Sequence, residues 1–380
     1  MIYLDNASTT KPSQGVIDAI SDALTNFGNP SSMHRLGIDA ENIIKKAKEN
    51  ASSILSVSPE NIYFTSGGTE SNNTAIFGYC RANSKKGNHI ITSKIEHPSV
   101  LTPFKMLEEE GFEVSYIGVD ENGTLNIREF ENALREDTIF VSIMLVNNET
   151  GAIMPVDKLK GIMKKKSPKA VLHVDAVQGF GKVLCKPKQW GIDMLSASGH
   201  KIHAIKGTGL LYVFDNVNLK PHICGGGQQK NMRSGTENVV GISAFSKACE
   251  EIKSYNQEKV KELRNRLKHA LIENIERVKI NEADDEFQAG HILNVSFLGL
   301  RSEILLHSLE MHKIYVSTGS ACSTNKPMPS HVLAAIGCNN SEIDSAVRFS
   351  FSQDLTNEDV DNTLEALVKE VAKIRKYTRK

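Results

Sequence analysis

Three short stretches place reactive residue types directly after apolar runs. The first is Ser66-Gly67-Gly68-Thr69-Glu70-Ser71. Glycines free backbone N–H groups for an anion, and a helix starting here would add its positive end. Thr69 and Ser71 add hydroxyl donors. The turn reads as a phosphate cup or as an ordinary Gly-rich connection, and it is neither a Walker A loop nor G-x-G-x-x-G. The second is His173-Val174-Asp175-Ala176-Val177-Gln178. A carboxylate where an apolar strand ends can hold a protonated ring nitrogen, or it can cap the next helix. The third is Ser196-Ala197-Ser198-Gly199-His200-Lys201. A lysine just past a strand end is an imine-forming amine or a surface cation. Together the three make a phosphate cup, an acid for a pyridinium nitrogen and a carbonyl-capturing amine. Those are the anchors of pyridoxal phosphate (PLP), in order, at successive strand ends. Asp175 and Lys201 are about one βαβ step apart, so they can be neighbours in space.

Five further features bear on the same site. His97, in Glu96-His97-Pro98, follows another strand end and could stack on a ring or move protons; a plain surface histidine is the competing reading. Asn147, in Asn147-Asn148-Glu149-Thr150-Gly151, could donate to a ring oxygen or a substrate carboxylate, or serve its own turn. Gly225-Gly226-Gly227-Gln228 and Arg233-Ser234-Gly235-Thr236 form a polar, Gly-rich connection. Arg348 alternates with apolar residues in Val347-Arg348-Phe349 and fits a carboxylate bidentately, unless a structural ion pair claims it. Cys322 lies in Gly319-Ser320-Ala321-Cys322-Ser323-Thr324, among small, turn-forming residues that suit an exposed thiolate. Cys80, Cys185, Cys224, Cys249 and Cys338 lack such surroundings and read as packing.

Elements of alternating type must position these groups. Apolar runs at 62–65, 89–92, 114–117, 139–146, 171–174, 194–197 and 209–214 read as strands, with helical stretches between, such as 98–110. That spacing predicts a mostly parallel sheet covered on both faces. A charged helical stretch over about 255–275 leads into a second region with strands at 291–297 and 347–351 and a helix at 303–311. The last helix is expected to start at a capping box of Thr356 and Asp359. Val360, Leu364, Leu367, Val371 and Ile374 line one of its faces. This second region reads as a smaller α+β domain.

The chain has 380 residues, with 45 Lys+Arg against 45 Asp+Glu. Zero net charge gives no overall pull toward nucleic acid or anionic membrane. Hydrophobic residues make up 40% and charged residues 24%, which excludes disorder and fibrous coils. The N-terminus, MIYLDNASTT, has neither a basic nor an apolar signal region, so a cytoplasmic protein is expected. The six cysteines contain no C-x-x-C pair, so neither structural zinc nor a disulfide framework is expected.

Read in order, YLDNAST, NPSSMHRLG, FTSGGTESNN, EHPSV, NNETG, HVDAVQ, SGHK, GGGQ with RSGTEN, GSACS with PSHVL, and VRFS resemble the PLP-dependent cysteine desulfurases of the class V aminotransferase group. The longer Cys322 loop resembles the branch containing the NifS and IscS types. The resemblance implies fold type I: a large PLP domain over 14–256, and a small domain built from 1–13 and 257–380. It implies that Lys201 holds PLP covalently, and that Gly68, Thr69, Ser198 and His200 hold its phosphate. Thr236 would reach the partner subunit's phosphate, which makes the enzyme a homodimer. Asp175 would pair with the pyridine nitrogen, Gln178 with the ring oxygen, and His97 would stack on the ring. Asn147 and Arg348 would bind the carboxylate of L-cysteine. Cys322 would accept its sulfur and pass it to an acceptor, as in iron–sulfur cluster assembly or tRNA thiolation, leaving L-alanine. Class V aminotransferases and selenocysteine lyases share these anchors, and a sulfur-trafficking partner that only docks is a further alternative. Two departures stand out. Gly67-Gly68 replaces the usual Gly-Ala, and Ile202-His203-Ala204-Ile205 replaces a stretch that usually contains Gly-Pro.

Overall fold

The computed structural model describes residues 1–120, 122–318 and 329–378. The chain opens with β1 (Ile2–Tyr3). It then builds a seven-stranded sheet from β2 (Ile62–Thr65), β3 (His89–Ser93), β4 (Glu113–Ile117), β5 (Thr138–Met144), β6 (Val171–Asp175), β7 (Met194–Ser198) and β8 (Gly209–Val213). Their spatial order is β2-β8-β7-β6-β5-β3-β4. Only the two pairings of β8 are antiparallel. All other strands point the same way and release their carboxyl ends along one edge, where ligands bind in open α/β sheets.

Helices on both faces explain why β5, TIFVSIM, is buried at every position. One buried histidine ties three strands of this core together. His173 lies between Ser142 Oγ at 2.8 Å and Ser196 Oγ at 2.9 Å, linking β5, β6 and β7. Burial pushes its imidazole down to about 3, so it stays neutral and structural.

The second region holds β9 (Val278–Ile280), β10 (Ile292–Phe297), β11 (Ile314–Tyr315), β12 (Ser317–Thr318) and β13 (Ala346–Ser350). Four of them form an antiparallel sheet in the order β12-β13-β10-β9, and β11 pairs in parallel with β1. The helices Gln257–Asn274 and Asn357–Thr378 pack on each other here. The second starts at the expected box: Thr356 N donates to Asp359 Oδ2 at 2.9 Å, and Asp359 N to Thr356 Oγ1 at 3.2 Å. Val360, Leu367, Val371 and Ile374 join Ile2 and Leu4 in one apolar core. Burying such side chains stabilises by about 1.5–3 kcal/mol each. The N-terminus therefore packs with the far end of the sequence. Asp5 bridges to Ser350, and residues 7–10 then cross the carboxyl edge of the large sheet.

Candidate active site

Four of the carboxyl-edge turns converge. Asp175 ends β6 and is 5% exposed. Its Oδ1 accepts from Val177 N at 2.9 Å and its Oδ2 from Asn72 Nδ2 at 2.8 Å. Asn72 also donates to Ser99 Oγ at 2.9 Å, and Ser99 Oγ lies 2.8 Å from His97 Nδ1. His97 is the N-cap of the helix Pro98–Glu109, so cap geometry and this hydrogen-bond chain fix its ring. Burial pushes its imidazole below the usual range; Lys201 and His331 act the same way and Asp175 opposes them. His97 is neutral at neutral pH.

Lys201 ends a short 3-10 turn, Gly199–Lys201, directly after β7. Its Nζ donates to the carbonyls of Ala7 at 2.5 Å and Ser8 at 2.6 Å. Gln178 Nε2 donates to the same Ala7 carbonyl at 2.8 Å. The N-terminal segment is thus the wall against which both site residues rest. His200 Nδ1 lies 3.2 Å from Thr9 Oγ1, and burial, with nearby Lys201, pushes its imidazole down to about 4. The departure at 202–205 is tied to the same wall. His203 has φ 68°, a left-handed conformation that histidine tolerates better than most residues. Thr10 Oγ1 accepts from His203 N at 2.7 Å, and Lys11 O lies 2.9 Å from His203 Nδ1.

Arg348 projects from β13 and is buried. Its Nη1 donates to Asn148 O at 2.7 Å; its Nη2 donates to Asp5 Oδ1 at 3.0 Å and Ser8 Oγ at 2.6 Å. Its buried Nε has no partner. Asn147 is a correction. Its Nδ2 donates to Ile95 O at 3.2 Å, and its Oδ1 accepts from Glu149 N at 2.9 Å and Thr150 N at 3.0 Å. The side chain closes its own turn and presents no group to a ligand. The neighbouring Asn148 is half-buried, its carbonyl rests on Arg348, and its amide makes no hydrogen bond among the described residues. Cys224 is a second correction: it is exposed, not packing, whereas Cys80, Cys185, Cys249 and Cys338 are buried. Thr236 is exposed on a loop that Arg233 ties to the cup, through its Nε bond to Glu70 Oε1 at 2.9 Å. Cys322 lies outside the described residues. The segment that follows it is anchored by Ser330 Oγ, which donates to Glu149 Oε2 at 2.5 Å, and by His331 Nε2, 2.9 Å from Glu96 O.

The family model for class-V aminotransferases matches residues 2–363. The cysteine desulfurase IscS of Methanosarcina thermophila is 42% identical over 379 residues, covering 98% of this chain and 93% of that protein. The cysteine desulfurase IscS 1 of Archaeoglobus fulgidus is 40% identical, covering 99% and 98%. The chain belongs to the class-V aminotransferase family, among its cysteine desulfurases. The solved structure of a NifS-like protein superposes with a TM-score of 0.91 at 36% identity, covering 98% of this chain and 99% of that one. A structure of SspA in complex with cysteine superposes with a TM-score of 0.83 at 32% identity, covering 93% and 99%.

PLP is the cofactor of this family's desulfurases, and the residues present fit it. Gly67 is the N-cap of the helix Gly68–Asn83, and a Cβ built on it would meet nothing within 4 Å, so an anion can approach this helix end. Gly209, opening β8, lies so close to this turn that a Cβ there would sit 2.5 Å from Gly67 Cα. Ser198 ends β7 with a hydroxyl that makes no protein hydrogen bond among the described residues, and Thr69 is exposed at the cup's mouth. Gln178 Oε1 is a buried polar atom with no partner. Asp175 keeps unfilled lone pairs beside its two donors. The Gly68 departure has a steric cause. A Cβ at this position would lie 2.6 Å from Val177 Cγ2, so the branched Val177 fills the space an alanine would need.

Proposed function

We propose that this cysteine desulfurase uses Lys201, Asp175, His97, Arg348 and Cys322 to take sulfur from L-cysteine. The observation that carries the reading is the neutral, capped His97 coupled through Ser99 and Asn72 to Asp175, in one pocket with Lys201. The cup at Gly68, Thr69 and Ser198, with His200 beside it, would hold the PLP phosphate, Asp175 the ring nitrogen and Gln178 the ring oxygen. Bound there, PLP supplies an electron sink that makes the substrate Cα–H acidic.

The chain does the rest. Arg348 holds the substrate carboxylate, exchanging Asp5 and Ser8 for it, with Asn148 beside it in place of Asn147. Lys201 Nζ takes the Cα proton. His97, neutral, accepts the substrate thiol proton. The Cys322 thiolate forms an S–S bond to the substrate sulfur as the Cβ–S bond breaks. The electron pair stays with Cβ, which takes up the proton that His97 accepted; Lys201 returns the proton to Cα, L-alanine leaves, and a persulfide remains on Cys322.

The reading extends to a homodimer, to domains over 14–256 and over 1–13 with 257–380, to a sulfur-acceptor protein and to a cytoplasmic location. Exposed apolar residues Leu24, Phe27 and Met33, the last two 81% and 98% exposed, and the outward Thr236 support a second copy. No helix among the described residues is long and apolar enough to cross a membrane.

The test is alanine release from L-cysteine by PLP-loaded protein with a thiol reductant. Equal alanine and sulfide, lost in Cys322→Ala with PLP retained, is the expected result. An unchanged rate in Cys322→Ala would sink the persulfide assignment.

A further inference from the structure

His331 has no part in the chemistry above. It is the first residue of the short helix His331–Ala335 and is exposed. Its ring nevertheless reaches inward, with Nε2 2.9 Å from Glu96 O. A carbonyl oxygen only accepts, so Nε2 carries a proton and donates it to this bond. That oxygen belongs to the peptide group joining Glu96 to His97. The bond therefore acts directly on the backbone that aims the His97 ring.

Other contacts hold the same peptide at its two ends. Glu96 is fully buried, and its Oε1 accepts from Ser93 Oγ at 2.6 Å and from Met144 N at 2.9 Å. Ser93 ends β3 and Met144 ends β5, so this side chain roots the turn in two strands. Burial pushes the Glu96 carboxyl up to about 8, so the root is uncharged at neutral pH and sets no second charge beside Asp175. At the other end, His97 Nδ1 caps its helix by accepting from Ser99 N at 3.1 Å. What these contacts leave free is rotation of the peptide plane between the two residues, and His331 holds the oxygen that reports it. Ser330 decides where His331 stands. Its Oγ donates to Glu149 Oε2 at 2.5 Å and accepts from Leu333 N at 3.0 Å. Glu149 follows Asn148, whose carbonyl holds Arg348. Two consecutive residues thus brace the turn that carries His97 and the turn that touches Arg348.

We propose that His331 is a positioning residue for His97: by holding the Glu96 carbonyl it fixes the peptide plane and so aims the imidazole at the substrate thiol. The inference rests on the reading of His97 as the acceptor of the thiol proton. His331 acts only through His97 and takes no proton in the reaction. A misplacement of about 1 Å is enough to lower such a step on the order of a hundredfold.

The test uses the PLP-loaded full chain with L-cysteine. His331→Phe keeps the ring and removes the donor, whereas His331→Gln keeps an amide N–H near the place of Nε2. Because His331 is exposed, neither substitution opens the core. In His331→Phe, kcat for alanine release is expected to fall about tenfold or more with KM within about threefold of wild type. In His331→Gln, kcat stays within about threefold of wild type. Exchange of the L-alanine Cα–H with solvent deuterium, which reads Lys201, keeps its wild-type rate in both. Placed in His97→Gln, His331→Phe costs nothing further, because its effect passes through the missing ring. In the cofactor-free protein, the imidazole nitrogen NMR signals of His97 shift in His331→Phe and stay in place in His331→Gln. An unchanged kcat in His331→Phe, an equal loss in His331→Gln, slowed Cα exchange, a full further loss on top of His97→Gln, or unshifted His97 signals overturns the proposal. Alanine release unaffected by His97→Gln overturns instead the reading of His97 on which it rests.

Discussion

Arg348 makes bonds to Asn148, Asp5 and Ser8 and keeps one unpaired N–H, so its guanidinium is oriented for a planar anion. A lysine there supplies charge without the fork. Arg348→Lys is expected to raise the KM for L-cysteine about tenfold or more with a smaller change in kcat, read by steady-state alanine release. An unchanged KM with a lowered melting temperature would mean that the residue serves only its ion pair with Asp5. His97 predicts a pH effect whose sign follows from burial. The folded ring binds its proton more weakly than the unfolded chain does, so the neutral form persists below the ordinary value of 6.5. The acid limb of kcat attributable to His97 should therefore lie below pH 6.5, and the pH–rate profile of wild type against His97→Gln checks it. By linkage, folding stability attributable to this ring falls as pH drops through the same window.

At the scale of elements, the phosphate cup depends on how closely the helix Gly68–Asn83 approaches the turn after β6. Gly68→Ala is expected to weaken PLP retention, because its new Cβ meets Val177 and overpacking of this kind costs about 1–3 kcal/mol. Val177→Ala in the same chain should restore retention, measured by cofactor content after dialysis. Failure of the second substitution to rescue would place the cost in the glycine backbone rather than in the contact. The same elements show how much the amino-acid order conveys. The strands at 62–65, 194–197 and 209–214 and the box at Thr356 and Asp359 are legible because a periodic apolar run and a capping pair are local. The antiparallel sheet of β12, β13, β10 and β9 is not legible, because pairing direction is set by residues far apart in sequence.

Across the whole molecule, the first ten residues join two cores to one site. Ile2 and Leu4 pack with Val260, Phe349 and Leu367, while the carbonyls of Ala7 and Ser8 hold Lys201 and Asp5 holds Arg348. Leu4→Ala is expected to lower stability by about 2–5 kcal/mol, as a fully buried leucine does. Because the wall of the pocket moves with it, PLP content should fall in protein that is still folded. Denaturant unfolding and cofactor content together check this, and a loss of stability with full PLP content would separate the core from the site.

The sequence by itself determined the ordered anchors: a Gly-rich turn, an acid, a glutamine and a lysine, each closing an apolar run. Strand ends are local features, and chemistry at them is constrained by residue type alone. Tertiary structure decided which side chains face the pocket. Asn147 and Asn148 are equal in sequence, but the turn uses the side-chain amide of the first, while the second meets Arg348 through its backbone carbonyl. Cys224 and Cys249 are alike in composition, but one lies on an exposed loop and the other in the core. Lys182 reads as one more surface lysine, yet the fold leaves it 4% exposed. Asn72 and Ser99 carry no motif and become site residues only when two helix N-termini meet over Asp175. Burial and facing direction depend on contacts between distant segments, and a list of neighbours along the chain does not contain them.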